Sequence, residues 1–305
     1  LKTIEGEFKG NNVKPTDEYI EIVESVYQRH SDAVIEMARG ALEWRLDLEK
    51  RFDTENITIE LAMRYKNPSL SSVLNRMKKS GYDKIIILPL FPQYASASSG
   101  SAIEYAISRI SKWWVIPEVS VIGQFYKNSY YINCMVNRAK EFNLSDYDHI
   151  MFSYHGIPER HVDKVYLDGK PCADHHCDEE INHENKHCYK AACYATSRLL
   201  VNALNLEEGT YSTCFQSRLG RDPWLKPYTD NIIEKLGKEG KKRVLVFSPA
   251  FVADCLETTI EIGEEYLELF QEHGGEEIQL VPSLNDNDDW ADGLYEIIKE
   301  KVGNI

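Results

Sequence analysis

Beyond about residue 45, short apolar runs alternate with helical patterns, and this alternation restricts the chain more than any other feature. "ITIELAMRY" (57–65), "KIIILPLF" (84–91), "VSVIGQFY" (119–126) and "HIMFSYHG" (149–156) form the first half of the series. "TYSTCFQS" (210–217), "KRVLVFSPA" (242–250) and "EIQLVPS" (277–283) complete it. Helices are expected between them, near 100–114, 129–142, 189–204, 226–237, 254–271 and from about 287. Apolar runs bounded by Gly, Pro and Asn read as parallel strands buried on both faces. Their alternation with helices implies βαβ units, hence an α/β fold of doubly wound parallel sheets flanked by helices. About three strands precede residue 127 and at least four follow it, which divides the chain into domains 1–127 and 128–305. Residues 1–45 are charged and mostly helical in pattern.

Composition removes several functional classes. The net charge of −14 argues against a surface that tracks nucleic-acid phosphates. No apolar run approaches the roughly 20 residues needed to span a bilayer, and the first residues, "LKTIEGEFKGNNVKP", do not read as a secretory signal. Seven cysteines, an odd and unevenly clustered set, fit a reducing compartment with metal-bound or free thiols. A cytoplasmic protein is the expectation.

In doubly wound sheets, ligands bind beyond the carboxyl ends of the strands. Three such ends are chemically unusual: "LPLFPQYASASSGS" (88–101), "FSYHGIPERH" (152–161) and "FSPAFVADCLETTIEIGEEY" (247–266). His155 closes an apolar strand just before Gly156 and Pro158, a place that suits proton abstraction or metal contact near neutral pH, or equally a strand-end hydrogen bond to a carbonyl. Glu257, Glu261, Glu264 and Glu268 are spaced to share one face of one helix, either as a path for protons and cations or as a solvated face. Asp254 and Glu257 also fit a capping box, as N-cap and N3. The small hydroxyl residues of "PQYASASSGS" open a helix whose amides could receive an anionic group, though without the spacing of a nucleotide-binding loop.

The segment "CADHHCDEEINHENKHCYKAAC" spaces its thiols as Cys172-x4-Cys177-x10-Cys188-x4-Cys193, inside an insert at 165–193. Four thiolates at two ends of a short loop can close around one metal centre. A [2Fe–2S] cluster tolerates this spacing, structural zinc more often uses C-x2-C knuckles, and two disulfides would suit an exported protein. The interleaved His175, His176, His183 and His187 are extra donors that four cysteines make unnecessary.

Taken in order and spacing, "LAMRYKNPSL", "LPLFPQYASASSGS", "FSYHGIPERH", "QSRLGRDPWLKPYTD" and "SPAFVADCLETTIEI" resemble the signature segments of the ferrochelatases. The resemblance runs from about Leu48 to the C-terminus. It implies two Rossmann-like, chelatase-type domains with a porphyrin cleft between them, and insertion of Fe2+ into protoporphyrin IX, a lyase reaction of haem biosynthesis. It maps the catalytic histidine to His155 and the paired acid to Glu257, both in contact with the substrate iron, with Glu261 next along an acidic path. Arg64, Phe91, Tyr94, Ser98, Ser99, Tyr154 and Trp224 become candidates for binding porphyrin. Some ferrochelatases carry an internal [2Fe–2S] cluster in an insert of this kind, here on Cys172, Cys177, Cys188 and Cys193, and a peripheral membrane contact is a further expectation. Two departures stand out. Residue 255 is Cys where some relatives have histidine, and the family's N-terminal strand of the type "LLVNLGTP" is not found in residues 1–45.

Overall fold

The computed structural model describes residues 45–52 and 56–302; the expectations for residues 1–44 lie outside them. Two parallel sheets organise the chain. The first pairs β1 (Lys84–Ile87) with β2 (Glu118–Val121). The second has the order β4-β3-β5-β6, built from β3 (His149–His155), β4 (Tyr211–Gln216), β5 (Arg243–Phe247) and β6 (Glu277–Leu280). All its neighbours run parallel, with His155 opposite Gln216 and Phe152 opposite Phe247.

The apolar strand runs are explained by burial on both sides. Ile150, Phe152, Tyr154, Leu245 and Phe247 join one core cluster, while Met151, Val244, Val246 and Cys214 join another on the opposite face. Helices α3 (Ser129–Ala139), α5 (Tyr189–Leu204) and α9 (Asp288–Val302) contribute to the first cluster, and α6 (Thr229–Lys238) and α8 (Tyr266–Glu272) to the second. In the first sheet, α1 (Leu70–Ser80) begins at Ser69, whose hydroxyl accepts from the Ser72 amide, and ends at left-handed Gly81. The chain's last helix, α9, packs mainly on α3 and also reaches β1, and Lys84 of β1 donates to the Lys301 carbonyl.

Two expectations need correction. Residues 57–65 are not a strand: they form no ladder, with a single bridge between Met63 and Ser69 and bends at Arg64 and Tyr65. The expected helix over 254–271 is broken into α7 (Leu256–Thr259), a π-turn at Glu261–Glu265, and α8. A second π-turn, Ser96–Gly100, leads into α2 (Ser101–Ile110). Both π-turns fall within the segments singled out as unusual strand ends, and single π-turns of this kind are frequent at functional sites.

Candidate active site and thiol centre

Alternation along β3 turns Tyr154 and His155 to opposite faces. Tyr154 is completely buried, with its hydroxyl 3.0 Å from Ser197 Oγ and its ring beside Phe215. The expectation that Tyr154 walls a ligand site therefore gives way to core packing. His155 is half-buried at the strand's carboxyl end, flanked by the rings of Trp224 and Phe251 at 6.4 and 6.1 Å between centroids. Its Nδ1 lies 2.6 Å from the Gly156 carbonyl. A carbonyl only accepts, so Nδ1 carries a proton, and in the neutral tautomer that keeps this bond Nε2 offers a lone pair. Gly156 is required by close approach: a Cβ there would sit 2.7 Å from the Gln216 carbonyl and 3.2 Å from the Trp224 ring.

Gln216 is the hub that the sequence did not reveal. Its side-chain oxygen accepts from Ser153 Oγ at 2.8 Å, and its Nε2 donates to the Glu257 carbonyl at 2.7 Å and to Glu261 Oε2 at 3.1 Å. The only signal in the sequence was its place at a strand end, opposite His155. Glu261 is saturated by the protein: Oε1 accepts from the Ser217 amide and the Tyr266 hydroxyl, and Oε2 from Ser217 Oγ and Gln216. These bonds hold Ser217 in the left-handed region, at φ 62. Of the acidic series, Glu257 and Glu264 are also half-buried and Glu268 is exposed.

The capping box differs from the expected one. Cys255 is the N-cap and Thr258 the N3 residue, while Asp254 accepts from the Ser283 amide, Asn285 Nδ2 and Thr258 Oγ1. Burial and then the neighbouring Glu257 charge push the Cys255 thiol well up, so it stays protonated and acts as a donor to Glu257.

In the first half of the chain, Arg64 donates to Ser101 Oγ at 3.2 Å and lies over the rings of Tyr65 and Tyr105. Phe91 is exposed, Tyr94 half-buried with its hydroxyl against Gly100, and Ser98 bonds back to the Ala95 carbonyl. Ser99 is fully buried, and its hydroxyl has no protein partner. Buried Gln93 ties this segment to the second half, donating to Thr196 and to the Pro249 carbonyl just before Phe251. Two surface hollows lie elsewhere, one along α6 and one beside α1 and α2.

The structure gathers three of the four predicted metal-ligating cysteines. Cys172, Cys177 and Cys188 are buried with their sulfurs within 4.8 Å of one another, and Cys172 Sγ lies 3.5 Å from Cys188 Sγ. Cys193 is equally buried but stands further along α5, outside this group. Cys188 caps α5, and hydrogen bonds from the Cys172 and Cys177 thiols hold it far below the ordinary thiol range. The thiolate at a helix N-terminus is the form that binds metal. Tyr166 Oη is 2.7 Å from Cys177 Sγ, and the His175 ring stacks on Tyr166 at 3.6 Å. His176, His183 and His187 are exposed. Three convergent buried thiols fit a thiophilic metal centre; a [2Fe–2S] cluster needs one more ligand.

The chain is similar to known proteins in both fold and sequence. The solved structure of SirB from Bacillus subtilis with Fe3+ aligns with a TM-score of 0.57 at 12% identity, covering 87% of this chain and 91% of that one. The sirohydrochlorin chelatase SirB from B. subtilis subspecies spizizenii, in complex with cobalt, gives 0.54, covering 88% of each chain. These similarities establish the chelatase fold. Among curated proteins, a ferrochelatase of Legionella pneumophila (strain Corby) is 43% identical over 247 residues, covering 80% of this chain and 72% of that protein. A ferrochelatase of Pseudomonas fluorescens (strain SBW25) is 42% identical over 238 residues, covering 77% and 70%. The ferrochelatase family profile matches residues 38–302, which takes in both sheets, His155, the acidic segment and the cysteine insert. On that span and that identity, the chain belongs to the ferrochelatase family.

Proposed function

We propose that this chain inserts Fe2+ into protoporphyrin IX, forming protohaem and releasing two protons. The observation that carries the reading is the His155 imidazole, pinned through Nδ1 to the Gly156 carbonyl so that Nε2 is the basic nitrogen. Metallation removes two pyrrole protons as a dication enters. His155 Nε2 accepts a pyrrole proton and passes it to solvent, regenerating the neutral base for the second. Glu257, half-buried and hydrogen-bonded by the Cys255 thiol, supplies the negative charge that steers Fe2+. Imidazole and carboxylate bind Fe2+ weakly enough to release it to the macrocycle. Phe91, Tyr94 and Trp224 are the aromatic walls of this reading, and Arg64, Ser98 and Ser99 its propionate contacts.

The thiol centre stands apart from the reaction. The reading assigns it a [2Fe–2S] cluster on Cys172, Cys177 and Cys188, with Cys193 as fourth ligand. When bound, such a cluster staples the insert and adds redox sensitivity. A peripheral contact with an anionic membrane completes the proposal, at the exposed Trp114, Val115 and Ile116 between α2 and β2.

His155→Ala tests the central claim. It should still bind porphyrin, followed by its visible absorption, while metallation falls by about two to four orders of magnitude. Loss of porphyrin binding together with an inactive parent protein would instead identify a haem or metal carrier. Parallel assays with coproporphyrin and with other divalent metals fix the substrate. About two iron and two acid-labile sulfide per chain identify the cluster, and one zinc would replace it with a structural site.

A further inference from the structure

The thiol centre and His155 are joined by one residue. Tyr189, the first residue of α5, directly follows the capping Cys188 and is buried at 6% exposure. Its hydroxyl donates to the His155 carbonyl at 2.9 Å. The same peptide group is held on its other side, where the Gly156 amide donates to the Gln216 carbonyl at 2.8 Å. The His155–Gly156 peptide is planar, so these two bonds fix its orientation. The next carbonyl, that of Gly156, is the acceptor that sets the tautomer of the His155 ring. Tilting the clamped peptide moves that acceptor away from Nδ1. A second tie runs in parallel, from the Cys172 amide to Asp163 Oδ1 at 2.8 Å, at the end of the short helix α4 (Glu159–Asp163) that follows His155.

We propose that Tyr189 is a positioning residue that transmits the state of the thiol centre to His155. A metal bound by Cys172, Cys177 and Cys188 immobilises the first turn of α5, and with it the hydroxyl that clamps the His155 peptide. This assigns the centre an effect on the iron-inserting site without contact with substrate, and it rests on the reading of His155 as the base. Core packing accounts for the Tyr189 ring but not for a buried hydroxyl aimed at the one carbonyl that precedes the histidine's own acceptor.

Tyr189→Phe in the metal-loaded protein removes the hydroxyl and keeps the ring. Three readouts decide the matter. The 15N imidazole spectrum of His155, assigned by its disappearance in His155→Ala, should show a lower fraction of the Nδ1–H tautomer. The kcat for Fe2+ insertion should fall by about ten- to a hundredfold, with the KM for porphyrin unchanged. Because coupling between sites is reciprocal, the variant should also give up its metal to a competing chelator at an apparent affinity at least about fivefold weaker. A parent-like tautomer and kcat would overturn the positioning role. A shifted tautomer with unchanged metal affinity would overturn the link to the thiol centre. Metallation that survives in His155→Ala would remove the base assignment, while the tautomer readout still judges the clamp.

Discussion

Glu261 occupies its acceptor sites with Ser217, Tyr266 and Gln216, and in doing so ties the end of β4 to the π-turn at Glu261–Glu265. A helical spacing of glutamates predicts a shared face; it says nothing of which carboxylate the neighbouring strand claims. His155 was legible because a histidine followed by glycine at a strand end is unusual, whereas Gln216 looks like any polar residue closing a strand. A second histidine on β3 makes a different prediction. His149 is buried, its Nε2 3.0 Å from Ser212 Oγ, and burial, aided by the Lys241 charge, lowers its pKa from 6.5 to about 4. Above pH 6.5 the ring is neutral in both states and contributes no pH dependence. Below it the unfolded chain binds a proton that the fold refuses, so stability falls as the pH drops from about 6.5 towards about 4. At pH 5 the loss is about 2 kcal/mol, at roughly 1.4 kcal/mol per pKa unit. Urea midpoints at pH 7.5 and 5 check this: His149→Gln should narrow the gap between them by about that amount, and an unchanged gap would locate the acid sensitivity elsewhere.

At the scale of elements, strands buried on both faces announce themselves, and β1, β3, β4, β5 and β6 fall inside their predicted runs. The segment 57–65 carries the same residue types but finds no ladder among the described residues, because β-forming side chains suit a strand only where a partner edge exists. The segment 254–271 has helical periodicity throughout, and no periodicity reports the extra residue of the π-turn at 261–265. Two glycines, one in this segment and one just beyond it, separate cost from opportunity. A Cβ at Gly263, inside the π-turn, would approach only the Thr258 carbonyl at 4.0 Å, so Gly263→Ala should stabilise the protein by about 0.5–1 kcal/mol through the entropy of the unfolded chain. A Cβ at Gly275 would lie 2.2 Å from the ring of fully buried Phe270, so Gly275→Ala should cost about 1–3 kcal/mol or more. Thermal melts of the two variants should move in opposite directions. A destabilised Gly263→Ala would mean that the π-turn requires glycine's freedom.

At the scale of the molecule, the sequence separated two sheets, while the packing binds the parts carrying them together. Phe125, Tyr131 and Trp290 pack edge-to-face and tilted on one another with centroids 5.6 to 6.1 Å apart, across the boundary drawn at 127, and α9 returns from the C-terminus to β1. Such contacts join residues far apart in the chain, which local patterns cannot encode. Charge is distributed unevenly as well. With a net charge of −14, the protein as a whole is repelled by an anionic surface. One corner runs against that field: Trp114, Val115 and Ile116 are 98%, 78% and 56% exposed, next to a hollow lined by Lys78, Arg109, Lys112 and Trp113. No helix of the described residues is long and apolar enough to cross a membrane, so contact here would be peripheral. Basic side chains beside an apolar tip attract anionic headgroups while the tip enters the interface. The protein should therefore float with phosphatidylglycerol vesicles at low salt, release at high salt, and ignore phosphatidylcholine vesicles, since surface attraction is screened within about 10 Å at 0.1 M ionic strength. Trp114→Ser with Val115→Ser should abolish flotation while leaving iron insertion into soluble porphyrin intact. Flotation that persists in this double variant would place the membrane contact on another face.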